Sequence, residues 1–192
     1  MALVFTGSYV IPVERERVWA GLNDTAVLAR CIPGCSALAM SGPNTFAATI
    51  VARIGVISAT FKGELERSEM EPPRRYVLAG RANGGLAGFA SGRAEVVLDE
   101  DDSSGRTTLT YRADADIGGK VAMVGGRLIE SVARSLADDF FGAFSREVAG
   151  ADATRAENAG LGQEMPPAAA ESMAQALPAV RPTASLSLAR ET

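Results

Sequence analysis

"IGGKVAMVGGRLIESVARSLADDFFGAFSREV", residues 117–148, places Val124, Leu128, Val132, Leu136, Phe140, Phe144 and Val148 four residues apart. An α-helix turns once every 3.6 residues, so steps of four overshoot each turn by about 40° and the apolar line drifts around the cylinder. Such a line is best buried against a surface that curls with it, and a twisted β-sheet is one. The reading predicts one long helix opening near Gly118-Gly119, with Gly125-Gly126 inside it as a site of close packing against the sheet. Each interior glycine there costs on the order of 1 kcal/mol relative to alanine.

The sheet is found by moving back along the chain. In "TFAATIVARI" (45–54), Phe46, Ala48, Ile50 and Ala52 alternate with polar residues, and in "VISATFKGELER" (56–67) Ile57, Ala59, Phe61, Gly63 and Leu65 do the same. Period two means strands with one wet face. "RYVLAGRA", "LAGFASGRAEVVL" and "RTTLTYRADA" follow, separated by short turn-forming stretches. Asn83-Gly84 is predicted to form a two-residue hairpin turn. Short loops between successive strands impose an antiparallel meander.

Near the N-terminus, Leu3, Phe5, Tyr9 and Ile11 share one side of a further strand closed by Pro12. A short helix is predicted to about Asn23, and a second over "TAVLARC" with Asp24 as its N-cap. Pro33-Gly34 stops that second helix. Beyond Ala149 the chain becomes Ala-, Pro-, Gly-, Ser- and Glu-rich and has no aromatic residue through Thr192. It is read as a domain of residues 1–148 and a disordered tail of 149–192, since such a tail buries too little apolar surface to offset its ordering entropy. The apolar patches "MAQALPAV" (173–180) and "SLSLA" (185–189) are the tail's only docking candidates.

One long helix and two short ones must cover a face of about seven strands, so the fold class is α+β, a curved antiparallel sheet gripping the helix. Many inward positions are small: Ala48, Ala52, Ala59, Gly63, Gly80, Ala82, Gly88, Ala90, Gly92 and Ala94. Such a lining either lets the helix sit close or leaves an apolar cavity, and the length of the sheet relative to its cover favours the cavity. The candidate lining from the strands is Phe5, Tyr9, Phe46, Ile50, Phe61, Tyr76 and Tyr111, with Leu86 and Phe89 from "LAGFASGRAEVVL" (86–98). Met123, Val124 and Leu128 join them from the last helix. Arg127 is the polar group placed to hold a ligand's carbonyl or head group.

Composition narrows the chemistry. The chain has no histidine, which excludes Ser-His and Cys-His nucleophiles and His-ligated metals. Its two cysteines, in "CIPGC" (31–35), are half of a structural zinc set, so they are read as apolar filler at a helix stop. No metal and no catalytic residue is assigned. A net charge of -4 gives no footprint for a phosphate backbone, so nucleic acid is not expected as a partner. No cationic leader and no bilayer-length apolar run is visible, which points to the cytoplasm. Asp114 with Asp116, and Glu64 with Glu66, are spaced to share the wet face of their strands.

"GSYVIPVERERVWAGLNDTAVLARCIPGC" (7–35), "ARIGVISATFKGELE" (52–66), "PPRRYVLAGRANGGLAGFASGRAEVVL" (72–98) and "GGKVAMVGGRLIESVARSLADDFF" (118–141) together resemble the carbon monoxide dehydrogenase G-subunit (CoxG) family of the START-like, or SRPBCC, superfamily. The resemblance covers residues 1 to about 148. It implies a helix-grip fold with an apolar cavity and a bound quinone or lipid, with no covalent cofactor. It also implies association with a molybdenum hydroxylase of the CO dehydrogenase type and recruitment of that enzyme to the membrane. Members often end in a hydrophobic anchor, whereas this tail offers only peripheral membrane contact. Three functions follow as expectations: a carrier linking that enzyme to the respiratory chain, an assembly factor for it without a ligand, or a cyclase or hydrolase with Tyr76 or Tyr111 as general acid.

Overall fold

The computed structural model describes the backbone of residues 1–101 and 103–160 and the side chains as far as Gly150. The chain divides into two compact units, Met1–Arg155 and Ala156–Thr192, and the whole sheet belongs to the first. Strand β1 (Ala2–Ile11) is followed by helices α1 (Arg15–Asn23) and α2 (Thr25–Cys31). Strands β2 (Cys35–Met40), β3 (Thr45–Ile54), β4 (Ile57–Glu71), β5 (Arg75–Asn83), β6 (Phe89–Asp101) and β7 (Arg106–Gly118) complete a seven-stranded antiparallel sheet. Its order is β1-β7-β6-β5-β4-β3-β2, so a meander from β2 to β7 ends by pairing with β1. Helix α3 (Gly126–Gly160) closes the described chain.

Local chemistry sets these bounds. Asp24 caps α2, its carboxylate accepting from the backbone N–H of Ala26 at 2.8 Å and of Val27 at 3.2 Å. Gly34 ends the α2 turn at a φ of +71°, and a Cβ there would stand 2.1 Å from the carbonyl oxygen of Val51. Only glycine fits that position. Both thiols of "CIPGC" are free, Cys31 buried and Cys35 partly so. Burial pushes the Cys31 thiol up from its ordinary pKa, with Glu147 adding to the shift.

Three expectations are corrected. The last helix begins at Gly126 and not at Gly118-Gly119, because β7 runs to Gly118 and a 3-10 segment occupies Gly119–Val124. Gly125 then adopts a φ of +92°, so the glycine pair starts the helix instead of lying inside it. Asn83-Gly84 makes no two-residue hairpin: a 3-10 turn at Gly85–Ala87 lengthens the loop, with Asn83 Oδ1 accepting from Gly85 N at 2.7 Å. β6 accordingly starts at Phe89. At the other end, α3 runs past the boundary that composition sets at residue 148. The remainder of the tail, 161–192, lies outside the described residues, as do both of its apolar patches and its expected membrane contact.

Two apolar clusters hold the sheet's concave side. One gathers Ile11, Val18, Leu22, Tyr76, Leu98 and Leu109 with Phe144 and Val148 of α3. The other joins Ala87, Ile117 and Val121 to Ile129, in the first turn of the helix. At the first cluster Gly21 of α1 makes room for the helix, since a Cβ there would come 2.7 Å from Val148 Cγ1 and 3.0 Å from the Phe144 ring. Helix α3 is thus pinned to the rest of the domain near both ends of Ile129–Val148.

Candidate functional site: the hollow beneath the last helix

Between the two clusters the inward side chains become small. Strand pairing sets them in rows: Gly80 opposite Gly92 and Gly92 opposite Ala115, then Gly63 opposite Ala82 and Ala82 opposite Ala90. Three of these glycines bring neighbouring backbones close. A Cβ on Gly92 would lie 2.5 Å from the carbonyl oxygen of Asp114, on Gly80 2.9 Å from that of Glu64, and on Gly63 3.0 Å from that of Arg81. The floor they make is bare backbone and methyl groups.

Above it the structure leaves an apolar hollow in two lobes. The larger, about 390 Å³, is bounded by Leu22, Leu28, Ile32, Phe46, Arg67, Tyr76, Tyr111, Phe140 and Phe141. The other, about 300 Å³, lies over Ala48, Ile50, Phe61, Gly80, Ala82, Ala90 and Gly92. Leu65, Leu78, Ala94 and Ala113 border both lobes, so the two adjoin. A water molecule takes up roughly 30 Å³ in the liquid, and ligand pockets commonly span about 300–1,000 Å³. The interior is therefore not closed by its own side chains.

Of the expected lining, Phe46, Ile50, Phe61, Tyr76 and Tyr111 border this hollow. Phe5 packs into the cluster around Ile117, and with Tyr9 it borders a separate, more polar cleft of about 320 Å³ between β1 and α3. There Tyr9 donates to Asp138 Oδ1 at 2.7 Å and stacks on Phe141 with ring centroids 4.2 Å apart. Burial first, then that hydrogen bond, push the Tyr9 phenol up from its ordinary pKa.

The rest of the expected lining lies elsewhere. Leu86 and Met123, 87% and 84% exposed, sit on the two 3-10 segments and face solvent. Phe89 neighbours inward-facing Ala90, so strand alternation turns it to the outer face, where its ring covers Gly118. Val124 packs in the cluster around Ile117, and Leu128 reaches Gly55 at the β3–β4 turn. Arg127 is exposed and borders neither lobe. It stands in the first turn of α3, with its side chain in solvent.

The buried charged side chain of the larger lobe is Arg67. It is 8% exposed, stands on β4 with its Cζ 4.5 Å from the centre of the Phe46 ring, and donates from Nη1 to Asn23 Oδ1. Its Nε is buried without a hydrogen-bond partner, and no carboxylate pairs with it among the described residues. Desolvation lowers its pKa. The sequence carries the signal: the inward series Phe61, Gly63, Leu65, continued one step at period two, arrives at Arg67. Tyr76, 5% exposed, lines the same lobe, and burial pushes its phenol up while the Arg67 charge opposes the shift. Tyr111 is likewise raised by burial, its ring lying against Gly7 of β1.

The remaining chemistry is sparse. Asp114, Asp116, Glu64 and Glu66 all face solvent, Glu64 pairing with Arg81 at 3.0 Å and Asp116 with the N-terminal amine at 2.9 Å. Among the described residues no three carboxylates or thiols gather in a way that would hold a metal ion. No helix of the described chain is long and apolar enough to cross a membrane.

A long helix gripped by a curved antiparallel sheet, with an apolar hollow between them, defines the helix-grip, START-like class of protein. Within that class the chain belongs to the carbon monoxide dehydrogenase G-subunit (CoxG) family, whose model matches residues 7–149. Among solved structures it is similar to a conserved protein from Geobacillus kaustophilus, at 32% identity over 77% of this chain and 96% of that one, with a TM-score of 0.73. The Zhui aromatase/cyclase from Streptomyces sp. R1128 shares the fold at 15% identity and a TM-score of 0.56, covering 77% of this chain and 94% of that one. Ara h 8.0201 does so at 13% identity and a TM-score of 0.54, covering 78% and 99%. No curated protein matches the chain.

Proposed function

We propose that this protein is a non-catalytic carrier: it holds a long apolar molecule, a respiratory quinone or another lipid, between helix and sheet, and links a CO-dehydrogenase-type molybdenum hydroxylase to the membrane respiratory chain. The observation that carries the reading is the open apolar hollow, of a size for one elongated ligand and lined by few polar side chains. Membership of a family named for a component of carbon monoxide dehydrogenase supports the choice of partner. Its place is at the inner face of the cell membrane, reached from the cytoplasm.

The test is direct. Protein purified from its own cells should carry a quinone or lipid detectable by mass spectrometry, and added quinone should raise the melting temperature of the stripped protein. Protein that carries nothing and does not respond to quinone would refute the carrier reading.

A cyclase or hydrolase using Tyr76 or Tyr111 is the second reading, since both border the hollow. Burial moves both phenols away from neutrality, which makes each a poorer proton donor. Turnover of any added substrate that survives Phe substitution at both positions would remove that assignment.

A further inference from the structure

We propose that Arg67 is the head-group receptor of the hollow, so that the ligand is an apolar chain ending in a hydrogen-bond-accepting oxygen that enters head first toward Arg67 and Tyr76. The inference rests on the carrier reading and makes it more specific. A guanidinium offers five N–H donors in a planar fork. Among the described residues the one acceptor that meets it is Asn23 Oδ1, while Nε stays unpartnered inside the protein. Nine-tenths buried, with no carboxylate beside it, such a charge is uncompensated by the protein's own groups.

The surroundings supply shape without supplying a counter-charge. Phe46 offers its ring face at 4.5 Å, and the same lobe is walled by apolar residues such as Leu22, Leu38, Leu65 and Phe140 together with the phenols of Tyr76 and Tyr111. In such low-dielectric surroundings an oxygen acceptor gains more from the fork than it would in water. The small-residue lobe leads away from Arg67 over Gly80 and Gly92, which gives a chain of methylenes or prenyl units a bare track to lie on. A quinone carbonyl and a fatty-acid carboxylate share this chemistry.

The full chain, stripped of bound lipid, would be titrated with three probes of matched chain length: a short-tailed quinone, a fatty acid and the corresponding hydrocarbon. Either oxygen-headed probe, or both, should bind at least ten-fold more tightly than the hydrocarbon. Preference for the fatty acid identifies a carboxylate head, and preference for the quinone a carbonyl. Arg67→Met should erase the preference of the oxygen-headed probes over the hydrocarbon, with circular dichroism confirming the fold. Arg67→Lys, which keeps the charge but not the fork, should retain part of it.

Equal binding of all three probes by the unaltered protein would overturn the head-group assignment and leave the carrier reading standing. So would an Arg67→Met protein with its preference intact. Failure of every probe to bind would sink both.

Discussion

Strand β6 shows both halves of the molecule's logic within a few residues: its inward side chains run Ala90, Gly92, Ala94, then Val96 and Leu98. At the Leu98 end the large side chains meet Ile11, Val18, Leu109 and Phe144, which are at most 1% exposed. At the Gly92 end the same concave face presents backbone and methyl groups to a hollow. Beta-strand geometry is the same in both places, so the difference lies in side-chain volume alone. Stability is concentrated in one region, which frees the other to remain unfilled.

Removing a side chain from the packed region should have the largest effect. Phe144→Ala should destabilise the protein by about 3–5 kcal/mol, read as a lower urea midpoint, because the surrounding core cannot collapse into the space. A loss below about 1 kcal/mol would show that this end is not the one holding the fold. Adding a single methyl where backbones touch ranks next. Gly92→Ala should cost about 1–3 kcal/mol, since the new Cβ must displace the carbonyl of Asp114.

Alkaline titration separates the regions by chemistry. All three tyrosines have phenols held above their ordinary pKa by burial. The folded state keeps those protons where the unfolded chain releases them, so their contribution is complete below about pH 10 and is lost as pH rises further. Tyr76, the most buried, should remove up to about 1.4 kcal/mol per pH unit above that point. Phenolate absorbance and loss of the circular dichroism signal should therefore rise together, whereas phenolate appearing in a still-folded protein would contradict the burial described here.

Smallest of all should be the effect of Ala94→Leu. Although it adds three carbons, where Gly92→Ala adds one, it points into the hollow and should change stability by less than about 1 kcal/mol. That inversion of size and cost is the sharpest mark of the difference between the two regions.

Much of this is readable in the sequence because periodicity reports which face of an element is dry. The strands, the Asp24 cap, the Gly34 stop and the small inward residues of the strands follow from pattern and turn chemistry, whereas Gly88 closes the 3-10 turn before β6. What periodicity misses is the geometry of segments that have no period. The line from Val124 to Leu128 keeps its four-residue step across Gly125, yet a positive φ there breaks the helix. Leu86 and Met123 are apolar residues on 3-10 segments, where no alternation tells inside from outside. Arg67 escapes for the opposite reason: a charged residue looks like the end of an inward series when here it continues one.

The most direct measurement is the titration of an environment-sensitive apolar dye, with the double variant Ala94→Leu/Ala113→Leu as comparison. These two residues face each other across β6 and β7 and border both lobes. The unaltered protein should bind one dye per chain, saturably and with blue-shifted emission, and the double variant should lose that binding while unfolding at nearly the same urea concentration. Dye binding that persists undiminished in the double variant would contradict a hollow at this place in the fold.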